Sequence, residues 1–182
     1  MAVRRLLESS SSRQRRLERA LAVKPSSIVF ICHGNIMRSA FALAYARQQF
    51  PDMAASMLGG GTHAVHGRAA QQSALVVARE MGTPLDGHSA TPLGELRLDE
   101  GALILCMDRA NEANVATRLP ALADRVFLIG DVDPLSGTQG SDATRVVSDP
   151  YALGDGATRQ AFQRIAELVG QWAAAVGARR AG

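Results

Sequence analysis

The chain has 182 residues, of which 47% are hydrophobic and 20% charged, and its formal net charge is +3. These proportions exclude a disordered polymer and are typical of one globular domain with a sizeable core. No apolar run approaches the roughly 20 residues that a membrane-spanning helix needs. The chain has two cysteines, which are too few for a framework of disulfide bonds. A soluble cytoplasmic protein without stable membrane insertion is therefore expected, since no secretory signal precedes the domain.

The charge is unevenly distributed along the chain. Residues 1–27 contain seven basic and two acidic side chains, a net charge of +5, so the remaining residues together carry −2. A basic arm can bind nucleic acid or an anionic membrane, but no alternation of aromatic and basic residues supports nucleic-acid binding. We interpret residues 1–26 as a solvated extension, partly helical or disordered, before a single domain over 27–182.

Short apolar segments alternate with helical ones along the rest of the chain. Four mostly apolar segments predict buried strands: 28–32, 54–58, 102–106 and 125–129. Four segments predict helices: 38–50, 71–81, the stretch between Asp108 and Pro120, and 157–176. Their limits carry the usual residues, with Pro51 after the first helix, Gly82 at the C-terminal cap of the second and Asp108 as an N-cap.

Strands that are apolar on both faces and alternate with helices predict a parallel sheet covered on both sides. Right-handed crossovers make this α/β fold a doubly wound sheet of four strands with helices on both faces. Ligands of such sheets bind beyond the carboxyl ends of the strands, where the strand order reverses. Cys32 and Cys106 each end a predicted strand at this edge.

The strongest functional signal lies between the first strand and the first helix, in the segment Cys32-His33-Gly34-Asn35-Ile36-Met37-Arg38-Ser39. Such a loop can turn its backbone N–H groups inward as an anion cradle, to which the helix start adds its dipole. Arg38 can then grip two phosphate oxygens as a planar fork. These surroundings favour Cys32 as the nucleophilic thiolate, to which Ser39 can donate.

Two further points concern this loop. Gly34 and Asn35 are residue types that tolerate a positive φ in a tight turn. A cysteine and an arginine six positions apart also occur by chance, as a buried strand end followed by a surface arginine. The preceding strand, the following helix and Ser39 favour the catalytic interpretation.

The segment from Val29 to Ser39 resembles the phosphate-binding loop of the low-molecular-weight protein tyrosine phosphatases, which usually reads Cys-Leu-Gly-Asn-Ile-Cys-Arg-Ser-Pro. The similarity runs from about residue 27 to the C-terminus, through these blocks in the family's order: Gly61-Thr62-His63-Ala64, Gly87-His88, Ile104-Leu105-Cys106-Met107-Asp108 and Asp149-Pro150-Tyr151. It implies a flavodoxin-like strand order and hydrolysis of phosphotyrosine through a phosphocysteine intermediate. It also implies no metal or organic cofactor.

The same resemblance implies a phosphotyrosine protein as partner, with a bacterial tyrosine kinase as one candidate, and phosphate or another oxyanion in the loop. The loop residues that would contact the substrate are His33, Gly34, Asn35, Ile36 and Met37. Asp149 matches the family's general acid, and Tyr151 would form one wall for an aromatic ring. His88 matches a histidine that holds the loop asparagine. Asp133, before Pro134, is a competing candidate for the acid because Asp-Pro is a common turn dipeptide.

Several positions depart from the family's pattern. Met37 replaces a second loop cysteine, so Cys32 lacks an adjacent thiol that could protect it as a disulfide. Ala40 stands where a proline is usual, and Gly59 where a serine supports the loop asparagine, which is expected to loosen that network. Residues 64–66 are small or aliphatic in place of a large aromatic, which predicts a more open pocket of the bacterial type.

Two other functions remain open from the sequence. Thioredoxin-coupled arsenate reductases share this fold but need two more cysteines; Cys106 lies near the first of these positions, and Ala113 occupies the second. A module that only binds phosphorylated ligands would need neither the thiol of Cys32 nor the acid at Asp149.

Overall fold

Four parallel strands form a sheet in the order β2-β1-β3-β4. Their bounds are Ile28–Cys32 for β1, Met57–Gly61 for β2, Leu103–Cys106 for β3 and Val126–Leu128 for β4. The computed structural model describes residues 10–22, 25–132 and 142–178. The chain crosses from β2 over β1 to β3, so the strand order reverses beside β1. This confirms the doubly wound, flavodoxin-like α/β sheet that the sequence predicts.

Helices cover both faces of the sheet. Their bounds are Ser10–Ala22 for α1, Arg38–Gln49 for α2, Gln72–Glu80 for α3, Arg109–Arg118 for α4, Asp142–Arg145 for α5 and Gly154–Ala178 for α6. Short 3₁₀ helices occupy Pro51–Ser56, Leu93–Glu95, Pro120–Arg125 and Ile129–Val132. Among the described residues, no helix is both long and apolar enough to cross a membrane.

The strand side chains alternate between two apolar cores. Phe30 and Leu105 belong to a core with α2 and α6, where the rings of Phe41 and Phe162 stack with centroids 4.1 Å apart. Ile31 belongs to the smaller core on the opposite face. Burial on both faces explains why the strands are continuously apolar.

The second strand begins later than predicted. Residues 54–58 were expected as strand, but a 3₁₀ helix led by Pro51 occupies Pro51–Ser56 and the strand is Met57–Gly61. Three glycines therefore lie inside β2 and pair with β1, Gly61 with Cys32. Glycine is tolerated here because a Cβ at Gly61 would lie 2.6 Å from the backbone oxygen of His33, where the loop after β1 passes over the strand.

Helix α1 is not a solvated arm. The Leu17 side chain is 1% exposed, and the buried Arg13 guanidinium donates to Asp131 and to Glu112, each at 2.6 Å. Burial disfavours the charge on Arg13, but the two carboxylates outweigh it and raise the pKa of Arg13 above its ordinary value. The segment is helical, which is one of the two forms expected for residues 1–26, but it is not wholly solvated, because Arg13 and Leu17 are buried against the domain. The boundary at residue 27 stays a prediction.

Replacing Arg13 by Met should lower the free energy of unfolding by about 3–5 kcal/mol, because the buried Asp131 loses its cation and Glu112 keeps Arg109 alone. Urea unfolding followed by circular dichroism measures the loss. The matched control is Arg15→Met on the same helix, since Arg15 is exposed and contacts Ser12 at 3.3 Å. Equal unfolding midpoints for the two variants would contradict the importance of the buried cluster.

Candidate active site

The loop after β1 forms the floor of a pocket of about 310 Å³. Cys32, the last residue of the strand, is 3% exposed at its base. The residues that line the pocket are Cys32, His33, Gly34, Ile36, Met37, Arg38, His63, Val65, Arg68, Asp149 and Tyr151. Helix α2 starts at Arg38, and no side chain among the described residues caps this start. Its first N–H groups are therefore available to an anion.

Two groups lie within hydrogen-bond distance of the Cys32 sulfur. The backbone N–H of Asn35 donates to Sγ at 3.2 Å, and Ser39 Oγ lies 3.0 Å from Sγ. Ser39 Oγ also lies 3.1 Å from the backbone oxygen of Gly60 and accepts a hydrogen bond from Asn35 Nδ2 at 2.8 Å. A serine has one hydroxyl proton, so Ser39 can turn it from Gly60 to the sulfur when the sulfur is an anion.

Asn35 is the residue that bends the loop. Its φ is 51°, in the left-handed region, and His88 Nε2 lies 2.5 Å from its backbone oxygen. Thr91 N–H donates to its side-chain Oδ1 at 2.9 Å. Of the two residue types that tolerate a positive φ in this loop, Asn35 adopts one and Gly34 does not. Burial lowers the pKa of His88, against the effect of its bond to Asn35, which favours a neutral imidazole that donates from Nε2.

The network around Asn35 keeps two side-chain partners although Gly59 lacks the family's serine. Asn35 Nδ2 donates to Ser39, and Oδ1 accepts from Thr91. A Cβ at Gly59 would lie 3.5 Å from Asn35 Nδ2 and 3.1 Å from Leu43 Cδ2. The expected loosening is therefore limited, because Thr91 and Ser39 hold the amide from opposite ends.

Arg38 is buried and held by three acceptors. Nη1 donates to Asp108 at 2.7 Å and to the backbone oxygen of Val147 at 2.9 Å, and Nη2 donates to Asp149 at 2.6 Å. A guanidinium has five N–H groups. In the described part of the chain, the Nε–H and one Nη2–H of Arg38 have no acceptor. These two groups can hold phosphate oxygens without breaking the contacts that orient the side chain.

Asp149 and Tyr151, which are separated by Pro150, both lie at the edge of the pocket. The Asp149 side chain is 46% exposed, and its Oδ1 accepts from the backbone N–H of Tyr151 at 3.2 Å. The Tyr151 side chain is 53% exposed. The loop therefore brings one carboxylate and one aromatic ring to the pocket that contains Cys32. The competing Asp133-Pro134 pair lies outside the described residues.

Three residues at the site were not predicted from the sequence. Asp108 caps α4 by accepting from Asn111 N–H at 2.8 Å and also binds Arg38; its place at the end of β3 was the available signal. The ring of His63 stacks on that of His33 with centroids 4.4 Å apart. Arg68 lines the pocket, and no sequence pattern marked it. The rim carries exposed Val65 as well as these polar side chains, and the expectation of a more open pocket than in relatives with a large aromatic stays a prediction.

The second cysteine lies away from the pocket. Cys106 is fully buried in the smaller core, and burial, followed by the nearby Glu112 and Asp108 carboxylates, raises its pKa well above 9.0. A neutral buried thiol is a poor nucleophile. No group of three or more potential metal ligands occurs among the described residues.

A strand-loop-helix anion cradle with a cysteine at its base, an arginine at the helix start and an aspartate at the rim can bind a phosphate group, which fits the class of phosphoric monoester hydrolases. The chain belongs to the low molecular weight phosphotyrosine protein phosphatase family, whose family model matches residues 27–181. Helix α1 lies before the matched region.

The similarity to individual proteins extends over most of the chain. The chain is 30% identical over 146 residues to the probable low molecular weight protein-tyrosine-phosphatase EpsP of Ralstonia nicotianae, and the alignment covers 80% of this chain and 92% of that protein. It is 35% identical over 132 residues to the low molecular weight protein-tyrosine phosphatase A of Mycobacterium tuberculosis, covering 70% and 77%. The solved structure of the YwlE arginine phosphatase from Geobacillus stearothermophilus matches with a TM-score of 0.72 and 25% identity, covering 85% and 94%.

Proposed function

We propose that the chain hydrolyses phosphotyrosine on a protein substrate through a phosphocysteine intermediate. The observation that carries this proposal is the position of Cys32 Sγ, which has two hydrogen-bonding groups at 3.0 and 3.2 Å and shares one pocket with Arg38 and Asp149. The relatives named as tyrosine phosphatases support the same activity.

In the first step, the thiolate of Cys32 attacks phosphorus, a sulfur–phosphorus bond forms, and the bond from phosphorus to the phenolic oxygen breaks. The loop N–H groups and Arg38 hold the three other phosphate oxygens as their charge redistributes. Asp149, in its acid form, gives its proton to the departing oxygen, so tyrosine leaves neutral. Since Asp149 already lies 2.6 Å from Arg38 Nη2, the acid is held near the phosphate clamp.

In the second step, water attacks phosphorus while the Asp149 carboxylate takes a proton from it. The sulfur–phosphorus bond breaks, inorganic phosphate forms, and Cys32 leaves as the thiolate. The hydroxyl of Ser39 can donate to the sulfur as its charge returns. The cycle consumes one water and needs no redox partner.

The depth of the pocket favours an aryl phosphate. Cys32 is almost completely buried, so the phosphate must enter to the base while the rest of the substrate side chain spans the pocket. A tyrosine ring is long enough to reach the rim, where exposed Tyr151 and Val65 can flank it. A short serine side chain would bring the peptide backbone into the pocket mouth.

Phosphoarginine is the main competing substrate class, because the YwlE structure is that of an arginine phosphatase. The charges of the pocket argue against it. The guanidinium group of a phosphoarginine is cationic and would lie near the cationic rim residue Arg68. Among the described residues that line the pocket, the one carboxylate is that of Asp149, and it is paired with Arg38. Arsenate reduction is also disfavoured, because the full sequence has two cysteines and Cys106 is buried in the core.

Three peptides of one sequence, carrying phosphotyrosine, phosphoserine or phosphoarginine, test this function. We expect kcat/KM for phosphotyrosine to exceed the other two by about tenfold or more, since only its ring fills the pocket. Arsenate with thioredoxin should give no turnover. Faster release of phosphate from phosphoarginine, or reduction of arsenate, would refute the proposal. The cytoplasmic location and a tyrosine kinase as substrate stay predictions.

A further inference from the structure

The mouth of the active-site pocket carries a cation that the proposed chemistry does not use. Arg68 lines the pocket together with Cys32 and Asp149, and its side chain is exposed. Within the described ranges 10–22, 25–132 and 142–178, Arg68 has no ion-pair partner. Its charge therefore faces the solvent at the position where a bound protein substrate must pass.

Among the described residues that line the pocket, no unpaired carboxylate offsets this charge. Asp149 is the acidic residue among the pocket-lining side chains, and it is bonded to Arg38. Asp108 is bonded to the same guanidinium from behind. An uncompensated cation at the rim of a cleft attracts anions and disfavours cations near it.

The backbone under Arg68 is fixed relative to the phosphate-binding loop. The Gly67 N–H donates to the Ala90 oxygen, and the Ala90 N–H donates to the Arg68 oxygen, both at 2.9 Å. Gly67 has a φ of +76°, which makes the turn. Three residues later, Gln71 N–H donates to the backbone oxygen of Ile36 in the loop itself, at 3.0 Å. Arg68 is therefore a long charged side chain on a backbone that is hydrogen-bonded to the phosphate-binding loop through Gln71.

We propose that Arg68 selects protein substrates in which an anionic side chain lies next to the phosphotyrosine in sequence. The inference rests on the proposed function, since it concerns what surrounds the phosphotyrosine bound in that pocket. The recognised group is a carboxylate of Asp or Glu, and a second phosphate has the same charge chemistry. Arg68 is a specificity-determining residue that contacts the substrate beside the reacting group.

Two phosphotyrosine peptides that differ by Glu or Gln on both sides of the phosphotyrosine test the proposal. For the wild-type chain, kcat/KM should favour the Glu peptide by about two- to fivefold at low ionic strength, the usual effect of an exposed charge pair. The preference should disappear near 0.5 M salt because of screening. In Arg68→Gln the ratio should fall to about one at all salt concentrations, whereas Arg68→Lys should keep part of it.

The matched control is Arg97→Gln, which removes the same charge from an exposed arginine that does not line the pocket. It should keep the wild-type ratio. A third peptide, with a second phosphotyrosine in place of Glu, distinguishes a carboxylate from a phosphate as the group that Arg68 recognises. If wild type prefers this peptide but not the Glu peptide, the proposal is supported with phosphate as the recognised group.

An unchanged ratio in Arg68→Gln, or an equal change in Arg97→Gln, would overturn the inference. The same peptides are also measured for binding to the Cys32→Ser chain with and without Arg68→Gln, so that the ratio of Kd values decides the inference without turnover. Failure to hydrolyse any phosphotyrosine peptide would refute the proposed function, which is a different result from an altered peptide preference.

Discussion

Cys32→Ser should lose turnover of phosphotyrosine by on the order of 10⁴-fold or more, the effect expected when a covalent nucleophile is removed. Inorganic phosphate should still bind, because the variant keeps the Asn35 N–H, the start of α2 and Arg38. The serine hydroxyl keeps its proton near neutral pH and is a far weaker nucleophile than a thiolate. Initial rates with a phosphotyrosine peptide and calorimetric titration with phosphate measure the two properties separately.

The matched control for this variant is Cys106→Ala. In the wild-type chain, the Cys106 sulfur is buried on the face of the sheet opposite to that of Cys32 and lies outside the pocket. We expect turnover to persist, with a modest loss of stability from the small cavity. Turnover in Cys32→Ser near the wild-type rate would show that Cys32 is not the nucleophile. Complete loss of turnover in a folded Cys106→Ala would contradict the same assignment.

Asp149→Asn should slow aryl phosphates with poor leaving groups by about 10²–10⁴-fold, because the departing oxygen no longer receives a proton. Substrates whose phenols are acidic need little proton transfer and should slow far less. A plot of log kcat/KM against leaving-group pKa should therefore become much steeper in the variant, because kcat/KM reports the first step and not the later hydrolysis of the phosphocysteine, in which Asp149 also acts. Asparagine keeps the size of the side chain and its acceptor for the Tyr151 N–H.

The leaving-group series also separates the two ways in which Asp149 could act. If this residue served only to orient Arg38 through their 2.6 Å contact, all aryl phosphates would slow by the same factor and the slope would not change. Asp133→Asn is the comparison variant, since Asp133 is the competing candidate for the acid. A steeper slope in Asp133→Asn with none in Asp149→Asn would move the general acid to the other Asp-Pro pair.

The floor of the pocket could be predicted because its chemistry is local. Cys32, Asn35, Arg38 and Ser39 lie within eight consecutive residues between a buried strand and a helix. Strand-loop-helix geometry by itself directs the loop N–H groups to one point. The second strand was placed three residues early because glycines favour loops in general, whereas here they let β2 pass under the phosphate-binding loop.

The contact of His88 with the Asn35 backbone oxygen agrees with the resemblance, but the residues that hold the Arg38 guanidinium and the Asn35 side chain could not be predicted from the local sequence. Asp108 reaches Arg38 across 70 residues, and Thr91 reaches Asn35 across 56. Arg13 reaches Asp131 across 118 residues, and this contact packs one face of a basic helix, with Arg13 and Leu17, against the domain. Such contacts depend on which loop ends meet at the sheet edge, and a charged residue carries no local sign of a distant partner.

By itself, the sequence determined the sheet and the loop that forms the anion cradle, and it singled out Cys32 as the candidate nucleophile, because apolar periodicity and a short strand-to-helix turn act over neighbouring residues. Only the tertiary structure decided how Arg38 is held, which cation stands at the rim and where α1 packs. Those features depend on electrostatic contacts between segments far apart in the chain, whose distances are set by folding of the whole domain.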